Sequence, residues 1–500
     1  MNVEYDVIVV GAGPSGLMAA VCLATLGVRV LVIDHKDGPT RESRALALQA
    51  RSLEIFDQLD IASRVLGEGN PAPSICPGYG RRVFGSLSLA RMGTGVTPYP
   101  GLFILEQSKT ERILRDVFLA RGGEIRWGCR MRDLRVVDEG QLVEVVCDGR
   151  AGDETIRARW CIGADGASSG VRNALGLSFE GVTNELSFFV ADARDAAGLV
   201  PDAINMRIHG DDFILGFPMG APGHFRILGV ADAPDALPDA DLERLIQRRL
   251  EEGFGIRYSE STWFSRYRAH HRLATHFRVG PVFLVGDAAH VHSPVGAQGM
   301  NTGLQDAHNL AFKLAEVIRG TAGVASLASY EAERRPVAAI LVKTTDAAFV
   351  RLTSRGRIAG FVRDRVVPVI APLALPIVPR LVGTERLYGY LSQTRIRYRM
   401  PSVSARDKAV GRRLPWTGSN YAAVRRTNWQ VHSYGAPGAD CVRVAGAIDA
   451  DPHSFNRDPH HRLSDRRLYL VRPDGFVAAA AKPGRASEVF LAVRASLSAV

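Results

Sequence analysis

Apolar and polar positions change period twice within the first thirty-four residues. Tyr5 to Val10 is a continuous apolar run rich in β-branched side chains, the pattern of a parallel strand buried on both faces. Ser15 to Leu26 carries good helix formers and an apolar face, and predicts a helix. Val28 to Ile33 returns to a short apolar run and ends in Asp34, which predicts a second buried strand and completes a βαβ unit. Two later segments show the same run and exit. Arg159 to Ala164 leads into Asp165-Gly166 and a predicted helix from Ser168 to Leu175; Pro281 to Val285 leads into Gly286-Asp287 and a helix from about Gly299 to Arg319. Residues 76–101 and 181–274 instead show short strand-like segments between Gly and Pro turns, such as Asn205 to Ile208, Phe213 to Phe217 and Phe225 to Val230. Near the end, Arg467 to Arg472 and Phe476 to Ala480 flank Pro473-Asp474-Gly475, a hairpin turn sequence, before an amphipathic helix from Arg485 to Leu497. The alternation predicts an α/β fold.

The turn after the first strand carries chemistry. Gly11, Gly13 and Gly16 form a G-x-G-x-x-G pattern with Pro14 and Ser15 between. Gly11 serves the tight turn, Gly13 close approach of the backbone to a pyrophosphate, and Gly16 close helix–strand packing. The N–H groups and dipole of the following helix then face the anion. Asp34, 21 residues beyond Gly13, sits where a carboxylate accepts hydrogen bonds from ribose hydroxyls. This unit predicts a dinucleotide without choosing between NAD and FAD. Asp165 and Asp287 place two further carboxylates at strand ends, where open α/β sheets bind ligands. Asp287 suits polyol hydroxyls, and the turn through Gly296 and Gly299 offers backbone N–H groups to a polar ring edge.

Taken together, these segments resemble the class A flavoprotein monooxygenases of the aromatic hydroxylase type, related to phenol hydroxylases and the hydroxylases of aromatic polyketide pathways. Gly11, Gly13, Gly16 and Asp34 match that family's dinucleotide fingerprint, Asp165 and Gly166 its DG motif, and Gly286 and Asp287 its GD motif. Pro294, Gly296, Gly299, Met300 and Asn301 match the loop that wraps the isoalloxazine, and Arg44 and Gln107 match two further cofactor contacts. The resemblance implies a Rossmann-like FAD-binding domain of the glutathione-reductase type, a β-sheet substrate domain and a C-terminal thioredoxin-like domain. Non-covalent FAD, NADPH or NADH as co-substrate, and O2 follow from it, with a bulky phenolic or polyketide-type aromatic hydroxylated through a flavin C4a-hydroperoxide. Baeyer–Villiger insertion, antibiotic inactivation and a non-catalytic flavin-binding protein are the alternatives on this scaffold. Asp34 replaces the commoner Glu, the C-terminal extension lacks a redox Cys pair, and the W-x-W-x-I-P motif of flavin halogenases is absent.

Such a reaction needs no covalent protein nucleophile; the useful side chain is a base or acceptor near a phenolic hydroxyl. His224, Tyr258, Tyr267, His270, His271 and Arg272 are candidates by position, and no catalytic residue is assigned. His290 and His292 form H-x-H, but they fall in the flavin loop with no acidic or Cys cluster beside them, so no metal is expected. Pro294, Gly296 and Gly299 are read as catalytic support, their backbone donors facing negative charge on the reduced ring.

The resulting division places the FAD-binding domain at 1–75, 102–180 and 275–355, the substrate domain at 76–101 and 181–274, a helical connection closing the active site at 356–399, and the thioredoxin-like domain at 400–500. A net charge of +10 and pI near 9.5 raise nucleic acid as a partner, but the basic residues are dispersed and only six are Lys, so none is expected. Six scattered cysteines read as reduced, and the first strand begins within a few residues of Met1, so a cytoplasmic protein is expected. In Val366 to Val382, Pro368, Pro372, Pro376 and Pro379 argue against a transmembrane helix. Short buried helices are expected there, with peripheral membrane contact as the alternative. A homodimer is possible.

Overall fold

Apolar runs without alternation are buried on both faces, and strands of that kind lie parallel beneath covering helices. The computed structural model describes residues 4–40, 45–149, 152–234, 236–292, 298–353, 360–375, 377, 388–390, 392–401, 407–435 and 438–499. Its parallel strands run in the order Glu124–Trp127, Val30–Asp34, Tyr5–Val10, the carboxyl half of Gly152–Gly163, and Val282–Leu284. Val10 pairs with Ile33 on one side and Gly163 on the other, and Gly163 pairs with Leu284. This register brings the exits at Gly11, Asp34, Asp165 and Gly286 to one edge. Val7, Ile8 and Val9 are fully buried in a core that includes Leu17 and Val21 of helix Pro14–Thr25 and Leu304 and Leu310 of helix Gly299–Ile318. The amino half of Gly152–Gly163 does something else. It pairs antiparallel with Leu142–Gly149, which pairs in turn with Arg130–Val137, so this strand is longer than its apolar end predicted.

The second sheet has nine strands, in the order His290–Val291, Glu260–Ala274, Phe179–Arg194, Phe225–Val230, Asp212–Pro218, Ala203–His209, Ser74–Tyr79 and Arg82–Val83, with Leu87–Ser88 also on Ser74–Tyr79. It is antiparallel apart from the pairing of Ala203–His209 with Ser74–Tyr79. Period two divides its faces. Phe189 and Ala191 pack towards helix Asp239–Arg249 with Ile227, whereas Val190, Phe217 and Leu228 form a separate cluster on the other face.

The C-terminal sheet runs Asp451–Phe455, Gln430–Tyr434, Leu468–Val471, Val477–Ala481. The first two are parallel across helix Gly438–Ala447, the rest antiparallel, and helix Pro483–Ala499 follows. The expected hairpin forms around Gly475 at φ +77°, but its tip is not a surface turn. Arg472 and Asp474 are 2% and 1% exposed and enter a charged cage between helix Gly299–Ile318 and helix Ala328–Thr353. Arg472 donates to both Glu333 oxygens at 2.6 and 2.9 Å and to Asp474 at 2.7 Å, while Lys313 Nζ donates to Glu333 at 2.9 Å. Burial alone would raise the Glu333 carboxyl; the Arg472 and Lys313 cations outweigh it and hold the group well below the usual carboxylate range.

A second expectation is corrected. The described part of the proline-rich stretch, residues 366–375 and 377, contains the expected short helix, Val367–Ala374, but that helix buries no residue.

Glu333 predicts a pH-dependent effect. Its folded pKa is depressed, so its stabilisation is fully present above the unfolded value of about 4.3 and is lost progressively as pH falls from there towards the folded value. Glu333→Gln should destabilise by about 3 kcal/mol at about pH 7 by leaving buried cations under-compensated. In denaturant melts the gap from wild type should narrow towards about pH 3.5; a constant gap would refute the assignment.

Candidate functional site

A cavity of about 1040 Å3 opens along the carboxyl edge of the parallel sheet and continues under the nine-stranded sheet. Gly11, Gly13, Pro14 and Ser15 line its first part. Gly11 has φ +109°, and a Cβ there would run into the Ala164 carbonyl; a Cβ on Gly16 would run into the Gly11 carbonyl. Both positions therefore exclude side chains for packing reasons. Gly13 differs, because a Cβ there meets no atom within 4 Å. Its backbone faces the open cavity at the entrance of helix Pro14–Thr25, whose first N–H groups have no helical acceptor. A phosphate-bearing ligand fits such a cradle.

Asp34 is 5% exposed and still lines the cavity. Its Oδ2 accepts the Ala12 N–H at 2.7 Å and its Oδ1 the Lys36 N–H at 2.8 Å. These bonds fix the carboxylate and leave acceptor capacity for ribose hydroxyls, since a carboxylate offers about four lone-pair sites. Gln107 lies across the cavity, donating to Glu111 Oε1 at 2.8 Å, and Glu111 Oε2 accepts the Thr40 N–H at 3.0 Å. Lys36, Arg130 and Met131 complete this end. Sequence reasoning missed Arg130, which is placed by the Cys129 N–H bonding to Asp34 O at 2.9 Å, a tertiary contact with no local signal.

Asp165 and Asp287 reach the same cavity from different exits. Asp165 accepts the Ser169 hydroxyl at 2.5 Å and the Val171 N–H at 3.1 Å, so it also holds the start of helix Gly170–Ala174. Burial raises its carboxyl, and those donors counter the shift. Gly166, at φ +82° with no atom near a built Cβ, leaves that wall open. Asp287 is exposed on the cavity side, just after Gly286 at φ +58°. Ser15, Gly286 and Gly303 interlock so closely that a Cβ on either glycine would strike the Ser15 hydroxyl. Gly303 was not anticipated, although its place one turn into an apolar helix is a signal for close approach.

Helix Gly299–Ile318 points its N-terminus at the cavity, with Gln298, Gly299 and Met300 on the wall. Asn301 does not extend its amide into the cavity. Its Oδ1 accepts the Gln49 N–H at 2.9 Å and the Ser52 hydroxyl at 2.7 Å, and its Nδ2 donates to Ala47 O at 2.8 Å. Asn301 is fully buried and does not line the cavity, so its amide ties the start of this helix to the 47–52 segment instead of meeting a ligand there. Arg44, Pro294 and Gly296 lie outside the described residues. His290 is turned inward, its Nε2 2.7 Å from Asp306 Oδ2, with Arg334 Nε on the other oxygen at 2.7 Å. Among the described residues no group of three or more His, Cys, Asp or Glu side chains is arranged to hold a metal.

Beyond this cradle the wall becomes aromatic and aliphatic: Phe213, Phe217, Leu228, Trp263 and Tyr267, all from the nine-stranded sheet. Of the candidate acid–base residues, Tyr267 and His270 line the cavity, and His270 Nδ1 lies 3.0 Å from Thr183 Oγ1. His224, Tyr258, His271 and Arg272 do not line it. Tyr258 donates to Glu243 at 3.3 Å, Arg272 to Thr183 Oγ1 at 3.0 Å, and His271 is 2% exposed. Arg268, absent from those candidates, does line it. Behind Trp263 the buried Arg226 guanidinium lies 5.2 Å from the indole and forms paired 2.6 Å bonds with Asp192.

Residues 4–345 match a family model described as an FAD binding domain. The chain is 36% identical over 387 residues to 6-methylpretetramide 4-monooxygenase of Streptomyces rimosus, covering 76% of this chain and 67% of that protein. It is 30% identical over 511 residues to the 12-dehydrotetracycline 5-monooxygenase/anhydrotetracycline 6-monooxygenase of Streptomyces rimosus subsp. rimosus, covering 96% of each. Among solved structures, OxyS anhydrotetracycline hydroxylase from Streptomyces rimosus superposes with a TM-score of 0.79 at 28% identity over 99% of both chains. Aklavinone-11 hydroxylase in complex with FAD and aklavinone gives 0.80 at 25% identity, covering 100% of this chain and 99% of that one. With its dinucleotide cradle and three strand exits at one edge, the chain belongs to the FAD-binding family of class A flavoprotein monooxygenases, the aromatic and polyketide hydroxylases.

Proposed function

We propose that this protein hydroxylates a bulky phenolic or polyketide-type aromatic, using FAD, NADPH or NADH, and O2. The carrying observation is the continuity of one cavity from the Gly11–Ser15 cradle to the wall of Phe213, Phe217, Trp263 and Tyr267. The balance is one arene, one O2, one NAD(P)H and one proton in, and one phenol, one water and one NAD(P)+ out. Bound flavin supplies hydride acceptance and oxygen activation. The chain's own residues do the rest. The helix entrance at Gly13 and the fixed Asp34 carboxylate would hold the dinucleotide, with Asp287 available to its hydroxyls. The first N–H groups of helix Gly299–Ile318, at the cavity wall, would favour negative charge on a bound flavin. The apolar wall excludes water and orients the substrate ring. Of the acid–base candidates, Tyr267 and His270 line this wall, which supports a role for either in holding a phenolic hydroxyl or accepting its proton.

The domain division follows the same reading: an FAD-binding domain of 1–75, 102–180 and 275–355, a substrate domain of 76–101 and 181–274, a connection over 356–399 and a C-terminal domain over 400–500. The last is inferred to be thioredoxin-like. Supporting this are its four-stranded order, with the third strand antiparallel to the others, and its flanking helices. With Cys441 its lone cysteine, it performs no dithiol exchange.

Three measurements test the reading. Gly13→Val, which fills the open face of the cradle, should weaken FAD binding by about tenfold or more, read as flavin absorbance per protein after dialysis. Asp287→Ala should likewise lose flavin, and normal occupancy in either variant would show the cradle misassigned. For catalysis, NAD(P)H oxidation and O2 uptake are followed over a panel of phenols and polyketides, with isotopically labelled O2. One labelled ring hydroxyl per NAD(P)H is expected for an accepted substrate. A flavin-loaded protein inert with every ligand would sink the proposal, and a labelled lactone would assign ring insertion instead. Trp263→Ala should leave flavin binding intact while diverting turnover to H2O2 several-fold, because the wall no longer seats the ring or excludes water; unchanged coupling would remove Trp263 from the substrate wall.

A further inference from the structure

The loop 91–101 follows strand Leu87–Ser88 and leads into strand Leu102–Ile104. Its own backbone bonds are turns, from the Val96 N–H to Gly93 O and from the Gly101 N–H to Met92 O, each at 2.9 Å. A loop of this kind keeps one shape only where its remaining carbonyls find donors. Those donors come from the far end of the chain. Arg413 Nη2 donates to Val96 O at 2.9 Å, Arg462 Nη1 to Gly95 O at 2.9 Å, and Tyr388 Oη to Tyr99 O at 3.0 Å. The surfaces also fit closely. A Cβ on Gly93, at φ +91°, would run into the Tyr388 ring, and one on Gly95, at φ +78°, into His460.

Each cation is itself fixed. Arg413 is buried; its Nη1 lies 3.0 Å from Glu54 Oε1 and also meets the Tyr421 hydroxyl, and its backbone bridges to Phe476 of the C-terminal hairpin. Glu54, also buried, accepts the Thr97 hydroxyl at 2.7 Å on that same oxygen and pairs with Arg51 through the other at 3.3 Å. Arg462 is held by Asp458 at 3.1 Å and by Trp416 O at 2.6 Å. Charge-assisted bonds of this kind are stronger and more directional than neutral ones, so the loop is set against the C-terminal region in one register. Its inner side is apolar. Met92, Tyr99 and Tyr388 belong to one cluster with Phe217, Trp263 and Tyr267, and the last three line the cavity. Close-packed interiors pass a displacement on, so a shift of Met92 or Tyr99 reaches the rings in front of them.

We propose that Arg413 and Arg462 are positioning residues for the substrate: they hold loop 91–101, and through Met92 and Tyr99 they set the wall of Phe217, Trp263 and Tyr267 against which the aromatic ring is seated. The inference rests on the reading of that wall as the substrate site. Neither arginine lines the cavity, and both act through the loop. The C-terminal region, with Cys441 its lone cysteine, thereby has a part in substrate fit that needs no dithiol.

Hydrogen–deuterium exchange and ligand titration of the full-length, FAD-loaded protein test it together. Arg462→Met should speed amide exchange severalfold in peptides covering 91–101 and in those of strands Asp212–Pro218 and Glu260–Ala274, while strand Tyr5–Val10 and the flavin content stay as in wild type. With alizarin as a three-ring phenolic probe, read by perturbation of the flavin absorbance, the same variant should bind about fivefold or more weakly, and Arg462→Lys should recover most of the loss. Arg413→Met is combined with Glu54→Gln so that no buried carboxylate is stranded, and the same changes are expected. If that double variant loses flavin, Thr97→Val, which removes the loop's own bond to Glu54, takes its place. Faster exchange in the loop with the two wall strands at the wild-type rate would overturn the proposal. So would a rise that includes Tyr5–Val10, because the arginines would then serve stability alone, or probe affinity indifferent to Arg462→Met. If neither alizarin nor any compound of the phenol and polyketide panel binds wild type, the reading of the wall fails and the proposal with it; the exchange pattern, which needs no ligand, tells the two failures apart.

Discussion

The carboxylate of Asp306 is the point at which the site is tied to the rest of the protein. It is fully buried, so its charge is tolerable only if donors surround it. The Gly286 N–H at 3.2 Å and His290 Nε2 at 2.7 Å share one oxygen, and Arg334 Nε at 2.7 Å takes the other. Burial would raise this carboxyl; Arg334 and His290 outweigh it and hold the group in its charged form. Each donor belongs to a different part of the site. Gly286 begins the turn that presents Asp287, His290 sits on the strand leaving that turn, and Asp306 itself lies two turns into the helix whose N-terminus faces the cavity. Arg334 continues outward, donating to Tyr398 Oη at 3.1 Å, and Tyr398 stacks on Phe476 at 4.2 Å beside the C-terminal hairpin.

A second tie joins cofactor and substrate regions. His290–Val291 pairs with Leu273 and Arg272, so the segment leaving the third exit is an edge strand of the nine-stranded sheet. The strand that supplies Trp263, Tyr267 and His270 to the wall is therefore hydrogen-bonded directly to the segment that follows Asp287. Substrate wall and cofactor turn share a backbone ladder, and neither can shift far without bending the other.

How much of this was legible depended on whether the determining contacts were local. The three exits were readable because strand, glycine and acid lie within a few residues, and the parallel register then delivered Asp34, Asp165 and Asp287 to one cavity. The bracket on Asp306 was not, since its partners are 16, 20 and 28 residues away and nothing in His290 alone distinguishes an inward ring from a ligand. The hidden use of Asn301 has the same origin: its partners Ala47, Gln49 and Ser52 are 254, 252 and 249 residues distant, so sequence assigned it to the ligand when its amide was already committed to the protein. The substrate wall was the least legible part. Its residues come from several strands that a bulge at Thr183/Ser187 and twist bring together, and alternation within one strand gives a face but no neighbour.

Two segments show where hydropathy fails as a guide to burial. The charged turn Arg472–Asp474 lies inside, while the apolar run from Val366 to Ile377 lies outside among the described residues. Arg472 can be buried because Glu333, Asp474 and the faces of Phe312, Tyr398 and Phe476 satisfy its guanidinium from several sides. Val369 and Leu373 stay exposed on a helix whose described polar contacts, the Tyr79–Asp364 hydrogen bond and the Arg363–Asp211 ion pair, fix how it sits beside the sheet. Burial in this chain follows partners as well as hydropathy: Arg472, met by charges and ring faces on several sides, goes inside, while Val369 and Leu373 stay out. Hydropathy ranks the cost of exposing each residue, but the fold is selected on the sum of contacts, which is a property of neighbours that the linear sequence does not display.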